Sequence, residues 1–133
     1  MPAYMLDTDT VSFALRGQGR VATRLLEHRP SELCISSITL AELHYGAGAE
    51  TRRSRRLLHL ISTFVEPIEV MAFDQSAAGR FGAVAAALAR RGAPIGTFDT
   101  LIAAHAFSLR LTFVTDNTHH FKRVSGLVIE NWV

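Results

Sequence analysis

The sequence predicts an α/β domain with a mostly parallel sheet of four to five strands. Three observations carry this. Short apolar runs alternate with longer segments of helical period along the whole chain, the pattern of strand–helix–strand units. Runs such as "LCIS" and "LTFVT" are continuously apolar instead of alternating with polar residues, as strands are when helices cover both faces of a sheet. With 133 residues, 48% of them hydrophobic, one domain spanning residues 1–133 can hide roughly two thirds of its unfolded surface.

The elements follow in order. Ala3 to Leu6 reads as a buried strand, and "TVSFALRG" as a helix ending near Gly17. "VATRLLEHR" sets Val21, Leu25 and Leu26 on one face and is stopped by Pro30, which cannot continue a helix. Leu33 to Ser36 is the second strand. "TLAELHYGAGA" is expected to form a helix from Thr39 to Ala49, and "TRRSRRLLHLISTFV" another, broken at Pro67. "IEVMAF" reads as a third strand. "DQSAAGRFGAVAAALARRG" is a long Ala-rich helix, capped by Asp74 and ended by Gly92. The loop "APIG" leads to the helix "TFDTLIAAHAFSLR", the strand "LTFVT", a helical turn "HHFKRV" and a last strand "LVIEN".

Composition narrows the setting. No apolar run is long enough to span a bilayer, and the N-terminus has no basic region leading into a long apolar core, so neither a membrane partner nor a secretory signal is expected. The single cysteine, Cys34, builds no disulfide framework, which suits the cytoplasm; it reads as a small buried hydrophobe. Net charge is only +2, yet Lys122 is the one lysine among 14 basic residues. Arginine forks onto phosphates, so the balance fits a nucleic-acid partner; it fits a genome rich in Arg codons equally well.

Four acids share one context. Asp7 follows the first strand, Glu42 lies early in the helix after "LCISS", Asp99 lies at the start of "DTLIAAHA", and Asp116 follows "LTFVT". Each has a purely structural reading. Asp7 can be an N-cap. Thr39 to Glu42 spells T-x-x-E, a capping box. Asp99 can complement a helix dipole. Asp116 with Asn117 can make a turn. Together they imply more, because a parallel sheet gathers the C-terminal ends of its strands along the edge where ligands bind. Two carboxylates ~4 Å apart repel by ~4 kcal/mol at an effective dielectric of ~20. A hard divalent cation, Mg²⁺ or Mn²⁺, offsets that at neutral pH. Zinc is disfavoured: Cys34 is alone, His119 and His120 are adjacent, and no H-E-x-x-H occurs.

The pieces "YMLDTDTVS", "ISSITLAELHYGA", "PIGTFDTLIAAHA", "LTFVTDNTHHFKRVSGL" and "IENW" resemble, in order and spacing, the PIN-domain ribonucleases of the VapC toxin type. The resemblance implies an α/β/α sandwich and a Mg²⁺-dependent endoribonuclease. It further implies a homodimer, silenced by a VapB-like antitoxin whose C-terminal segment enters the site. Asp7, Glu42 and Asp99 match the three acids of the family's metal site. For the fourth role, strict count from Thr115 points to Asn117, whereas Asp116 is the carboxylate available. Asp9 departs from the family's frequent Asn. On this reading Asp7 and Asp99 bind metal directly, Glu42 completes the site and Asp116 supports it.

Arg52, Arg53, Arg55 and Arg56 fall within little more than one helical turn. They read as a solvated helix start, as an RNA-phosphate track, or, with Leu57, Leu58 and Leu60 nearby, as an antitoxin groove. Competing functions are weaker. "DTDT" fits the opening of haloacid-dehalogenase-type phosphatases, but no Lys precedes a final acidic motif. A receiver domain lacks a suitable acid at mid-chain. A non-catalytic PIN-like RNA-binding module would have no use for the acids.

Overall fold

The computed structural model describes residues 2–48 and 51–133. Five short strands form one parallel sheet: β1 (Tyr4–Leu6), β2 (Leu33–Ser36), β3 (Glu69–Met71), β4 (Thr112–Val114) and β5 (Ile129–Glu130), in the order β3-β2-β1-β4-β5. The helices are α1 (Thr8–Leu15), α2 (Val21–Leu26), α3 (Ser37–Gly46), α4 (Arg52–Val65), α5 (Gln75–Arg90), α6 (Thr97–Ser108) and α7 (Thr118–Phe121). No helix is long and apolar enough to cross a membrane among the described residues.

Alternation along each inner strand builds a core on both faces of the sheet. Met5, Cys34 and Phe113 point to the layer containing Ile102 of α6 and Leu88 of α5. Leu6, Leu33, Ile35 and Val114 point to the layer containing Val11 of α1, Leu43 of α3 and Ile61 of α4. Continuous apolarity of the strands is therefore what a sheet covered twice requires, and the expected α/β/α sandwich forms. Trp132 closes the second layer. Its indole stacks on the His28 ring at 4.6 Å and donates to Glu130 at 2.9 Å, so the C-terminal "IENW" packs against the region after α2.

The helix boundaries follow local chemistry. Asp74 caps α5 by accepting from the Ala77 N–H at 3.0 Å, and Gly92, at φ +63°, turns the chain away after it. One expectation is corrected. The third helix begins at Ser37, not Thr39, because Ser36 accepts from the Ile38 N–H at 3.0 Å and is the N-cap. Thr39 is already helical, so Thr39 and Glu42 form no capping box. That helix ends at Gly46; its expected last residue, Ala49, lies outside the described residues.

Cys34 is fully buried, and burial, with Glu69 nearby, pushes its thiol up to about 12. It stays protonated and takes no part in acid–base chemistry.

Candidate metal centre

The strand order places the site. After β1 the chain runs outward through β2 and β3, then returns to add β4 on the other flank of β1. The crevice at such a reversal, beyond the C-terminal ends of the strands, is where open α/β sheets take ligands. Leu6 pairs with Val114 at this edge; the next residues are Asp7 on one strand and Thr115 and Asp116 on the other.

Asp7 is held tightly there. Its N–H donates to the Val114 carbonyl at 2.9 Å, and its carboxylate accepts from the Thr10 N–H at 2.8 Å. It is thus the N-cap of α1, as its structural reading expected. The metal reading is not displaced, because a carboxylate has several acceptor positions. Asp9, in the first turn of α1, projects back toward the same end of the helix. Carboxylate oxygens of Asp7, Asp9 and Asp116 all lie within 4.8 Å of one another. From sequence, Asp9 reads as an extra acid that binds a second metal or its water, or holds the helix start; the helix turn places it beside Asp7.

Glu42 and Asp99 border this trio. The Thr8 hydroxyl donates to Glu42 Oε1 at 2.6 Å, tying α3 to the turn between the two aspartates. Asp99, on the first turn of α6, has its pKa raised by burial first and then by Glu42, with a smaller push from Asp9, while His120 lowers it. From sequence, His119 and His120 read as a solvated turn, or as contacts to RNA phosphate. In the structure the His120 Nδ1 accepts from the Asn117 amide at 2.8 Å, which leaves Nε2 to carry the proton. That contact uses an Asn117 amide N–H and leaves its Oδ1 available, while Asp116 joins the acids. His119 is exposed.

A buried pair fixes the two bordering helices. His105 of α6 lies 2.8 Å from the Ser36 hydroxyl that caps α3. One contact therefore links the helices bearing Asp99 and Glu42. Burial pushes the His105 pKa down, so the ring is neutral and shares a single proton with the serine.

The electrostatics call for a cation. Burial, chiefly, raises the Asp7 carboxyl from 3.8 to about 6, against hydrogen bonds from Thr10 and Thr115 that hold it down. Burial first, then Glu42, raises Asp99 as well. The N-termini of α1 and α6 face the acids, but each helix dipole is worth at most about 2 kcal/mol, less than the ~4 kcal/mol repulsion of one close pair. An all-oxygen donor set at this spacing fits a hard divalent ion.

Beside Glu42 a groove of about 450 Å³ opens between α1, α3 and α4. Leu57, Leu60 and Ile61 lie along it, with Arg16, Arg53 and Arg56 among its lining residues. The arginine run thus divides. Arg55 lines a separate hollow with His44 and Leu58, and Arg52 is exposed.

Comparison with known proteins agrees with this arrangement. The PIN domain family matches residues 4–127. The tRNA(fMet)-specific endonuclease VapC of Shigella flexneri is 41% identical over 132 residues, covering 99% of both chains. Ribonuclease VapC2 of Haemophilus influenzae is 35% identical over 133 residues, the full length of both. Among solved structures, DNA-bound VapBC from Salmonella typhimurium superposes with a TM-score of 0.92 at 40% identity over the whole of both chains. VapBC2 from Rickettsia felis, bound to a DNA fragment from its promoter, gives 0.90 at 31% over 98% of each. Fold, sequence and the acids at the sheet edge converge: the chain belongs to the PIN domain family, among its VapC ribonucleases.

Proposed function

We propose that this protein is a Mg²⁺-dependent endoribonuclease, with Mn²⁺ as an alternative ion, and the toxin of a toxin–antitoxin pair. The observation that carries the reading is the convergence of Asp7, Asp9 and Asp116, bordered by Glu42 and Asp99, on one sheet edge. In this reading Asp7, Asp9 and Asp116 hold the cation. A bound divalent ion supplies Lewis acidity toward phosphate oxygens and makes water a nucleophile near neutral pH. Glu42, oriented by Thr8, accepts a proton from the attacking water. Asp99 completes the negative charge of the site, and His120, oriented by Asn117, donates to a phosphate oxygen. Water attacks and no 2′-OH is needed, so the products carry a 5′-phosphate and a 3′-OH.

RNA as substrate, a VapB-like antitoxin, a homodimer, a cytoplasmic setting and a single domain over 1–133 belong to the same proposal. The named activities of the relatives support the RNA substrate, and the VapBC complexes support the antitoxin. Arg52, Arg53, Arg55 and Arg56 crowd the N-terminus of α4, where cations oppose the helix dipole. They do not serve the helix's own stability. Arg53 and Arg56, in the groove beside Glu42, suit RNA phosphates or an acidic antitoxin segment whose apolar side meets Leu57 and Leu60. Nothing in the comparisons favours a phosphatase, and the clustered acids speak against a non-catalytic module.

The test is cleavage of RNA by the purified protein with Mg²⁺, with EDTA, and with a phosphomonoester as control. RNA cleavage that EDTA abolishes, without phosphatase activity, is expected. Full activity in EDTA refutes the metal mechanism.

Glu42→Gln separates function from folding. Ser36 caps α3, and a glutamine oxygen still accepts from Thr8. The melting temperature should stay close to the parent's, while cleavage falls at least about 10-fold. A lower melting temperature with parental specific activity in the folded fraction would make Glu42 a structural residue.

A further inference from the structure

Arg80, Arg91 and Arg123 surround a hollow of about 180 Å³ formed by α5, the end of α6 and the segment after α7. No acid lines it; its floor is apolar, with Ala83, Val84, Leu88 and Val124. The guanidiniums have partners that do not neutralise them. Arg91 donates to the Arg123 carbonyl, and Arg123 donates to the Pro94 carbonyl at 3.2 Å. The Arg80 guanidinium lies over the Phe107 ring, 4.6 Å from its centre. Ion pairs among the described residues are Arg24–Glu27, Arg24–Glu130 and His28–Glu32, so none of the three arginines has a carboxylate partner there. Ordering a guanidinium sacrifices about 2 kcal/mol of side-chain entropy. Here two backbone carbonyls and an aromatic face restrict the guanidiniums while leaving donors and charge for an anion.

The hollow lies apart from the acids but is tied to segments that border them. Arg123 comes three residues after His120, and Pro94, which it contacts, comes five before Asp99. A cluster of carboxylates repels a polyanionic substrate, so affinity for the strand on either side of the reacting bond has to come from cations elsewhere. Arg53 and Arg56 supply them beside α4; on the α5 side the arginine hollow does.

Resting on the endoribonuclease reading, we propose that this hollow is a second phosphate site, which binds a backbone phosphate of the RNA at a distance from the bond that is cut, with the sugar or base against the apolar floor. It sets affinity for long RNA and takes no part in the chemistry.

The experiment compares the parent with the double variant Arg80→Glu/Arg91→Glu, leaving Arg123 to hold Pro94. The probes are bulk bacterial tRNA and a randomised RNA of about four nucleotides, at the lower end of what one single-strand groove accommodates. Cleavage is followed over a salt series, tRNA binding by fluorescence anisotropy in EDTA, and oligomeric mass by sedimentation. The variant should show a KM for tRNA at least about 10-fold higher, unchanged kcat, and a salt slope shallower by about one to two. Anisotropy should show the same loss, while cleavage of the short RNA stays parental. Equal losses on both RNAs, or parental binding and slope, overturn the proposal. Parental RNA kinetics with a changed mass assign the hollow to a contact between copies; parental kinetics with lost inhibition by a purified antitoxin assign it to that protein. If the parent cleaves neither RNA, the nuclease reading fails on its own, and the anisotropy still decides the phosphate site.

Discussion

Asp7→Asn is expected to stabilise the metal-free protein at pH 7 while removing its activity. The buried Asp7 carboxyl is raised from 3.8 to about 6, so the folded state binds a proton that the unfolded chain has already lost in that window. Favourable linkage is fully present below about pH 4 and is lost as pH rises through about 6. Two units correspond to about 3 kcal/mol between low and neutral pH. Asparagine keeps the oxygen that accepts from the Thr10 N–H and caps α1, and it carries no charge into the core. Thermal melts in EDTA should therefore show the parent losing more stability than the variant between about pH 4 and 6, with the variant the more stable by up to about 3 kcal/mol at pH 7. Mg²⁺ should raise the parent's melting temperature and leave the variant's nearly unmoved, because an ion that binds only the folded state stabilises it by mass action. Cleavage should fall at least about 100-fold. A variant less stable than the parent at pH 7 would show that Asp7 serves chiefly as a cap.

The second large effect distinguishes two neighbours. Asp116 lies with Asp7 and Asp9, whereas Asn117 gives an amide N–H to His120 and can offer the site only a neutral oxygen. Asp116→Asn should raise the Mg²⁺ concentration for half-maximal cleavage by about 10–100-fold, with activity partly recovered at saturating metal. Asn117→Ala should leave the Mg²⁺ requirement alone and lower the rate more modestly, through a His120 ring no longer held. Mg²⁺ titrations of both variants and the parent on one RNA decide this. If Asp116→Asn overlays the parent while Asn117→Ala takes on the altered Mg²⁺ requirement, position 117 fills the fourth role.

Much of this was legible because the relevant physics is local. Short apolar runs such as "LCIS" read as strands because four residues between turn signals are too few for a helix. Asp74 and Gly92 mark the ends of α5 by chemistry that acts within one helical turn. The helix-start signal failed where two local candidates competed. Ser36 and Thr39 both offer a hydroxyl, and the pattern T-x-x-E favoured the wrong one; the serine wins because it still has extended backbone at the end of β2, at ψ 148°.

Taken by itself, the sequence determined the fold class, the order of the elements, and the four positions at which acid follows a strand or begins a helix. Which of those acids meet was decided only by the tertiary structure. Asp7 and Asp116 are more than a hundred residues apart and become neighbours because β4 returns to pair with β1. Asp9 joins them through one helical turn, while Glu42 and Asp99 are carried to the border by helices that His105 and Ser36 hold together. The separation of the arginines into a groove beside Glu42 and a hollow on α5 is likewise invisible along the chain. Charge repulsion and burial depend on distances through space, and distances between residues far apart in sequence are fixed only when the sheet pairs and both of its faces are packed.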